Sequence, residues 1–133
     1  MYVPPFSFLL VDSKPEQVGG SSGFLSIALA QEYPELSFEV QDYEHTVKEG
    51  AAQLPSSLAD RVKFVPHNFF DPQPSTGDIY ILRHICHNWS NANSVKIIQQ
   101  IVQAMKPTSR IILVEVVVVP PKVVNPVQER YMR

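Results

Sequence analysis

The stretch "VGGSSGFLSIALAQEYPELSFEVQD" (residues 18–42) decides the fold. It opens on a glycine-rich loop, "VGGSSG" (18–23), where missing side chains let the backbone approach a ligand or simply turn. Phe24, Leu25, Ile27, Ala28 and Leu29 then form a helical grouping of apolar residues, and Pro34 stops the helix. "LSFEVQD" (36–42) alternates as a strand does and ends in an acid, Asp42. A loop, helix and strand in this order is a unit of an open α/β sheet.

The flanks continue that rhythm. On the N-terminal side, "FSFLLVD" (6–12) is aromatic and β-branched enough for a buried strand, and 13–23 reads as a Pro- and Gly-rich loop. Pro15 has no N–H to give a ladder, so "KPEQV" is not expected to be a central strand. On the C-terminal side, 44–54 is a weak helix broken at Gly50 and ended before Pro55. "VKFVPHNFF" (62–70) is a short strand running into a loop, and "GDIYILRHI" (77–85) is a strong strand. The segment 90–106 predicts an amphipathic helix with Ser90 or Asn91 as N-cap and Val95, Ile98, Ile101, Val102 and Met105 on one face. "SRIILVEVVVV" (109–119) is the last strand, and 120–133 is a Pro-rich tail. One domain spanning 1–133, built on a mostly parallel sheet, is the expected architecture.

Composition narrows the function. A net charge of −2 over 133 residues supplies no basic stripe for nucleic acid. The apolar end of the chain is interrupted by Glu115 and falls short of a membrane span. The single cysteine, Cys86, fits a reducing compartment, and the N-terminus reads as strand rather than signal peptide. A soluble, cytoplasmic protein is expected.

In open α/β sheets ligands bind outside the carboxyl ends of the strands. That directs attention to the loop at Gly19, Gly20 and Gly23, to Asp42, to "HNFF" (67–70) and to "ILRHICHNWSN" (81–91). Asp42 can hold the two hydroxyls of a ribose, or start the next helix. Asn68 can offer an amide and Phe69 a ring face to a purine, while Phe70 reads equally well as core. In the last stretch, strand alternation sends Arg83, Ile85 and His87 to one side, His84 and Cys86 to the other. A pair split between faces is a poor chelate and no third ligand sits at useful spacing, so no metal is expected. His87, at the rim, is placed either to take a proton from a substrate or to cap the following helix.

Three segments together resemble the S-adenosylmethionine-dependent O-methyltransferases, the plant and fungal group acting on phenolic natural products. Residues 18–42 resemble that family's D-V-G-G-G-S-G loop, helix and acid-ended strand. "RVKFVPHNFFDPQP" (61–74) resembles its v-x-x-G-D-x-F segment. "IYILRHICHNWSNANSVKIIQQIVQAMKP" (79–107) resembles its l-[kr]-x-[il]-x-H-[DN]-W-x-D stretch.

The resemblance implies a Rossmann-like methyltransferase fold with S-adenosyl-L-methionine as cofactor. Gly19, Gly20 and Gly23 would approach its methionine part, Asp42 its ribose, and Asn68 and Phe69 its adenine, with Arg83 as the basic residue nearby. His87 would deprotonate a hydroxyl on a small aromatic or polyketide-type acceptor, and Glu115 would orient its imidazole. Gln17 stands where the family has Asp, Ser21 where it has a third glycine, and Asn68 where it has Asp.

The family's N-terminal helical domain and its later strands are absent from these residues. The chain is therefore expected to be a truncated catalytic domain whose last strand is covered by the tail, a second copy or another protein. The alternatives are an inactive binding relative, or one using His87 for isomerisation or cyclisation.

Overall fold

In the computed structural model, residues 13–116 are described. The proposed strand at 6–12, the tail and the end of the 109–119 run lie outside them. Five strands form one sheet: β1 (Pro15–Val18), β2 (Phe38–Asp42), β3 (Val62–Pro66), β4 (Ile79–Arg83) and β5 (Arg110–Val114). Their order is β3-β2-β1-β4-β5, and every pairing is parallel. Helices α1 (Phe24–Glu32), α2 (Glu44–Gln53) and α3 (Asn91–Ala104) make the crossovers β1 to β2, β2 to β3 and β4 to β5. The order reverses between β1 and β4, and this is where an open sheet leaves a crevice.

Parallel sheets are covered on both faces, and strand alternation divides the core accordingly. Ile79 and Ile81 join Leu25, Leu29, Phe38 and Val40 on one side. Tyr80 and Leu82 join Val18, Ile97 and Ile101 on the other. The Arg61 guanidinium donates to the carbonyls of Ala30 (2.8 Å), Leu36 (3.0 Å) and Tyr33 (3.3 Å), closing the carboxyl end of α1 against the start of β3.

The central strand corrects the sequence expectation. Pro15–Val18 lies between β2 and β4 and is wholly buried. Pro15 is its first residue, where a missing donor costs the ladder least. The backbone groups beside it are satisfied by Asp78, whose carboxylate accepts from Lys14 N (2.8 Å) and whose N–H donates to Lys14 O (3.2 Å). The two polar residues of β1 are held by side-chain partners. Gln17 Oε1 accepts from Ser26 Oγ at 2.5 Å. Glu16 stands in register with Glu39 on β2 and Tyr80 on β4, and its Oε2 accepts from Gln41 Nε2 at 3.0 Å. Ser75 Oγ donates to Glu39 at 2.7 Å, and burial with the neighbouring Glu39 carboxyl drives the Glu16 pKa up to about 8.

Three further expectations change. Helix α2 runs through Gly50 without a break, because the missing side chain admits Phe64: a Cβ there would meet Phe64 Cε1 at 2.5 Å. Helix α3 begins at the expected cap, with Ser90 Oγ accepting from Asn93 N at 3.2 Å. It turns Ile97 and Ile101 to the sheet and leaves Val95 52% and Val102 54% exposed. Phe24, grouped with the apolar residues of α1, is 68% exposed. Among the described residues β5 is an edge of the sheet, with Leu113 half exposed.

Candidate active site

The loop after β1 turns on three left-handed residues, Gly19 (φ 66°), Ser21 (φ 53°) and Gly23 (φ 77°). Two hydrogen bonds pin it to the end of β2: Gly20 N donates to Gln41 O (2.9 Å), and Ser21 N donates to Asp42 Oδ2 (2.8 Å). Gly19 admits no side chain, since a Cβ would meet Ile85 Cδ1 at 2.7 Å and Phe69 Cε2 at 3.3 Å. Asp42 also accepts from Tyr43 N through Oδ1 (2.7 Å), so it ties the loop to the first turn of α2. Each carboxylate oxygen retains a lone pair for a further donor.

Gly19, Asp42, Tyr43, His67 and Phe69 line a small pocket. Gly19 also borders an open cleft of about 170 Å³ walled by Gln17, Gly20, Ser21, Ser22, Phe24, Leu25, Arg83 and His84. Phe69 stands edge-on to Phe70 (ring centroids 5.2 Å apart) and Trp89 (5.8 Å). Asn68 turns inward on its own loop, its Oδ1 accepting from Phe70 N at 3.0 Å. The pocket wall beside Phe69 is His67, which the sequence reading passed over although it heads the "HNFF" stretch. Its Nε2 is buried with no partner among the described residues. Desolvation lowers its pKa against the pull of Asp71 and Glu39, so the ring is held toward its neutral form.

On the other side of the crevice, β4 and β5 end at the paired residues Arg83 and Val114. The chain leaves β4 through His84, whose φ of 55° is left-handed, and enters a single 3₁₀ turn, Cys86–Asn88. Glu115 caps that turn: Oε1 accepts from Cys86 N (2.8 Å) and Ile85 N (3.1 Å). Its other oxygen, Oε2, lies 2.6 Å from His87 Nδ1. Desolvation acts to raise the Glu115 pKa, but the bonds from His87, Cys86 and Ile85 outweigh it and leave the carboxyl below its ordinary value. A carboxylate can only accept, so Nδ1 is the donor, and in the neutral ring the free lone pair is on Nε2. The group can therefore remove a proton from a hydroxyl brought to Nε2.

The expected separation of His84 and His87 does not hold. The strand stops at Arg83, so alternation no longer counts beyond it, and the left-handed residue swings the His84 ring to 5.6 Å from His87 in an edge-on contact. Glu115 is the third group that spacing alone concealed: one ligand atom from each of His84, His87 and Glu115 lies within 4.8 Å of the others.

A family profile described as the O-methyltransferase domain matches residues 9–132. The chain belongs to the O-methyltransferase domain family. O-methyltransferase aoiF of Aspergillus oryzae is 44% identical over 122 residues, which cover 87% of this chain and 29% of that relative. The chain thus spans less than a third of the length of that relative. Solved structures share its fold. CalO1, a methyltransferase in calicheamicin biosynthesis in its SAH-bound form, superposes with a TM-score of 0.78 at 25% identity, over 90% of this chain and 35% of that one. A protein described as a pericyclic reaction enzyme superposes with a TM-score of 0.73 at 30% identity, over 83% and 30%. Among the described residues no helix is long and apolar enough to cross a membrane.

Proposed function

We propose that these residues form the cofactor- and base-bearing part of an S-adenosylmethionine-dependent O-methyltransferase of secondary metabolism. It would methylate a hydroxyl of a small aromatic or polyketide-type compound, with His87 as general base. The observation that carries this is the placement of the Glu115–His87 pair across the crevice from the Gly19–Asp42 pocket. The residues of the pocket suit the adenosine end of the cofactor in kind: a carboxylate with free lone pairs stands at the end of β2, Phe69 offers a ring, and the unpartnered His67 Nε2 is a polar group awaiting a hydrogen bond. Gly19 and Gly23 would leave backbone room for the methionine part, and Arg83 would face its carboxylate from the open cleft.

The cofactor, when bound, supplies an electrophilic methyl group on a sulfonium. The chain's own part is positioning and one proton. Asp42 would hold ribose hydroxyls, Phe69 would bound the adenine, and His87 Nε2 would take the acceptor's proton while Glu115 steadies the imidazolium. A second reading, favoured by the likeness to the pericyclic reaction enzyme, keeps the pocket but uses His87 in a cyclisation or isomerisation.

Calorimetric titration with S-adenosylmethionine and S-adenosylhomocysteine tests the cofactor reading. Micromolar binding that disappears in Asp42→Ala and weakens in Phe69→Ala, both checked for folding by circular dichroism, is the expected result. No binding to the wild-type chain at millimolar ligand would overturn it. With binding established, labelled methyl transfer to a panel of phenols that is lost in His87→Ala supports the first reading over the second.

A further inference from the structure

The cluster at the ends of β4 and β5 holds a second chemistry. Two imidazoles and one carboxylate are the donor set of many mononuclear zinc-class sites, with the remaining positions left to water. Here His84, His87 and Glu115 each present a ligand atom within 4.8 Å of the other two. Tetrahedral zinc with bonds of about 2.0–2.1 Å requires ligand atoms about 3.3 Å apart. The pair at 2.6 Å must open slightly and the widest separation must close, which side-chain torsions accommodate in this solvent-accessible loop. Glu115 enters already held by two backbone N–H groups through its other oxygen, so its Oε2 is fixed in direction.

We infer that His84, His87 and Glu115 form a binding site for a single divalent zinc-class ion. The ion takes the place of the proton between His87 Nδ1 and Glu115 Oε2, with an imidazole nitrogen of His84 as third ligand and water completing the shell. That proton moves to Nε2, the other ring nitrogen, so the neutral ring binds the ion with no net loss of a proton. Occupancy also reverses the tautomer. With the metal on Nδ1 the remaining ring proton sits on Nε2, and the ring cannot accept a proton from a substrate. This last consequence rests on the proposed role of His87 as base; the binding itself does not.

Zinc chloride titrated into the purified chain, without methyl donor or acceptor, tests the site by calorimetry and by competition with a zinc-sensitive dye. One ion per chain is expected, with affinity falling about tenfold or more in His84→Asn. Asparagine suits the left-handed backbone at position 84, so loss of the ligand is separated from loss of the fold. Cys86→Ser and His45→Asn, each removing a donor outside the cluster, should bind as the wild type does. Cobalt(II) in place of zinc should give a visible d–d spectrum of nitrogen and oxygen ligation that His84→Asn abolishes. Absence of binding to the wild type, or equal binding by His84→Asn, would overturn the inference. Calorimetry with zinc and with S-adenosylhomocysteine reads different residues, so failure of one leaves the other standing.

Discussion

Replacing Glu16 with glutamine should make the fold's stability almost independent of pH where the natural chain loses it. Glu16 is fully buried in the central strand, beside Glu39, and burial is the largest cause of a pKa raised from an ordinary 4.5 to about 8. The Glu39 contact raises it further, while the charge of Lys14 and the bond from Gln41 oppose. Glu39 itself moves the other way: its own desolvation is outweighed by bonds from Gln41, Ser75 and Glu16. Tyr80, on the opposite flank, is neutral throughout this range and bonds to Gly77 N and Ser75 O. One proton is therefore held by Glu16 against Glu39.

A group whose pKa is higher folded than unfolded stabilises most below the unfolded value and loses that contribution as pH rises through the folded one. The window here is from about pH 4.5 to about pH 8. At about 1.36 kcal/mol per decade the loss is bounded near 5 kcal/mol, and relaxation around the ionised group brings it to about 3 kcal/mol. Glutamine keeps the shape of the protonated acid and cannot ionise. The two proteins should match within about 1 kcal/mol at pH 5, and Glu16→Gln should be more stable by about 3 kcal/mol at pH 9. For a chain of this size that is roughly 10 °C in Tm. Thermal and urea unfolding followed by circular dichroism at pH 5, 7 and 9 measures it. Parallel loss of stability in both proteins between pH 5 and pH 9 would refute the reasoning.

Substitutions at two further positions probe the frame. Ser21 occupies a left-handed conformation that costs a non-glycine residue roughly 1 kcal/mol, so Ser21→Gly should stabilise by about 0.5–1 kcal/mol, with Asp42 still accepting from the backbone N–H; a lower urea midpoint would contradict this. Arg61→Ala removes a charged donor from three carbonyls and should cost about 2–3 kcal/mol, and Arg61→Lys should recover less than half because an ammonium has no fork to span them; unfolding midpoints of the pair decide it.

What could be read from the sequence depended on whether a local rule had competition. The order of strands and helices from residue 24 onward was legible because each apolar pattern is bounded by proline, glycine or a capping residue. The pairing of Glu115 with His87 followed from the likeness to a family, and the structure adds that both lie just beyond the ends of adjacent strands. Pro15 misled because a proline forbids one donor and not a strand, and the Lys14–Asp78 exchange supplies the bonds beside it. Helix α3 carries two overlapping apolar stripes. Ile101 lies on the expected face, but packing against Tyr80 and Leu82 chose Ile97 over Val95 and Val102. His84 was assigned to the wrong side because alternation was counted past Arg83, where the strand ends. His67 gave only the signal of its position in "HNFF".

The reversal of strand order has a mechanical side. Within the sheet, β1 alone joins the half carrying Asp42 and His67 to the half carrying His87 and Glu115. Four residues, one of them a proline and two of them polar, therefore set how far a ligand held by the first half stands from the proton acceptor on the second. The joint also carries the buried Glu16 at the end of the sheet away from the crevice. Ionising that distant carboxylate would weaken the strand through which the two halves are aligned across the crevice.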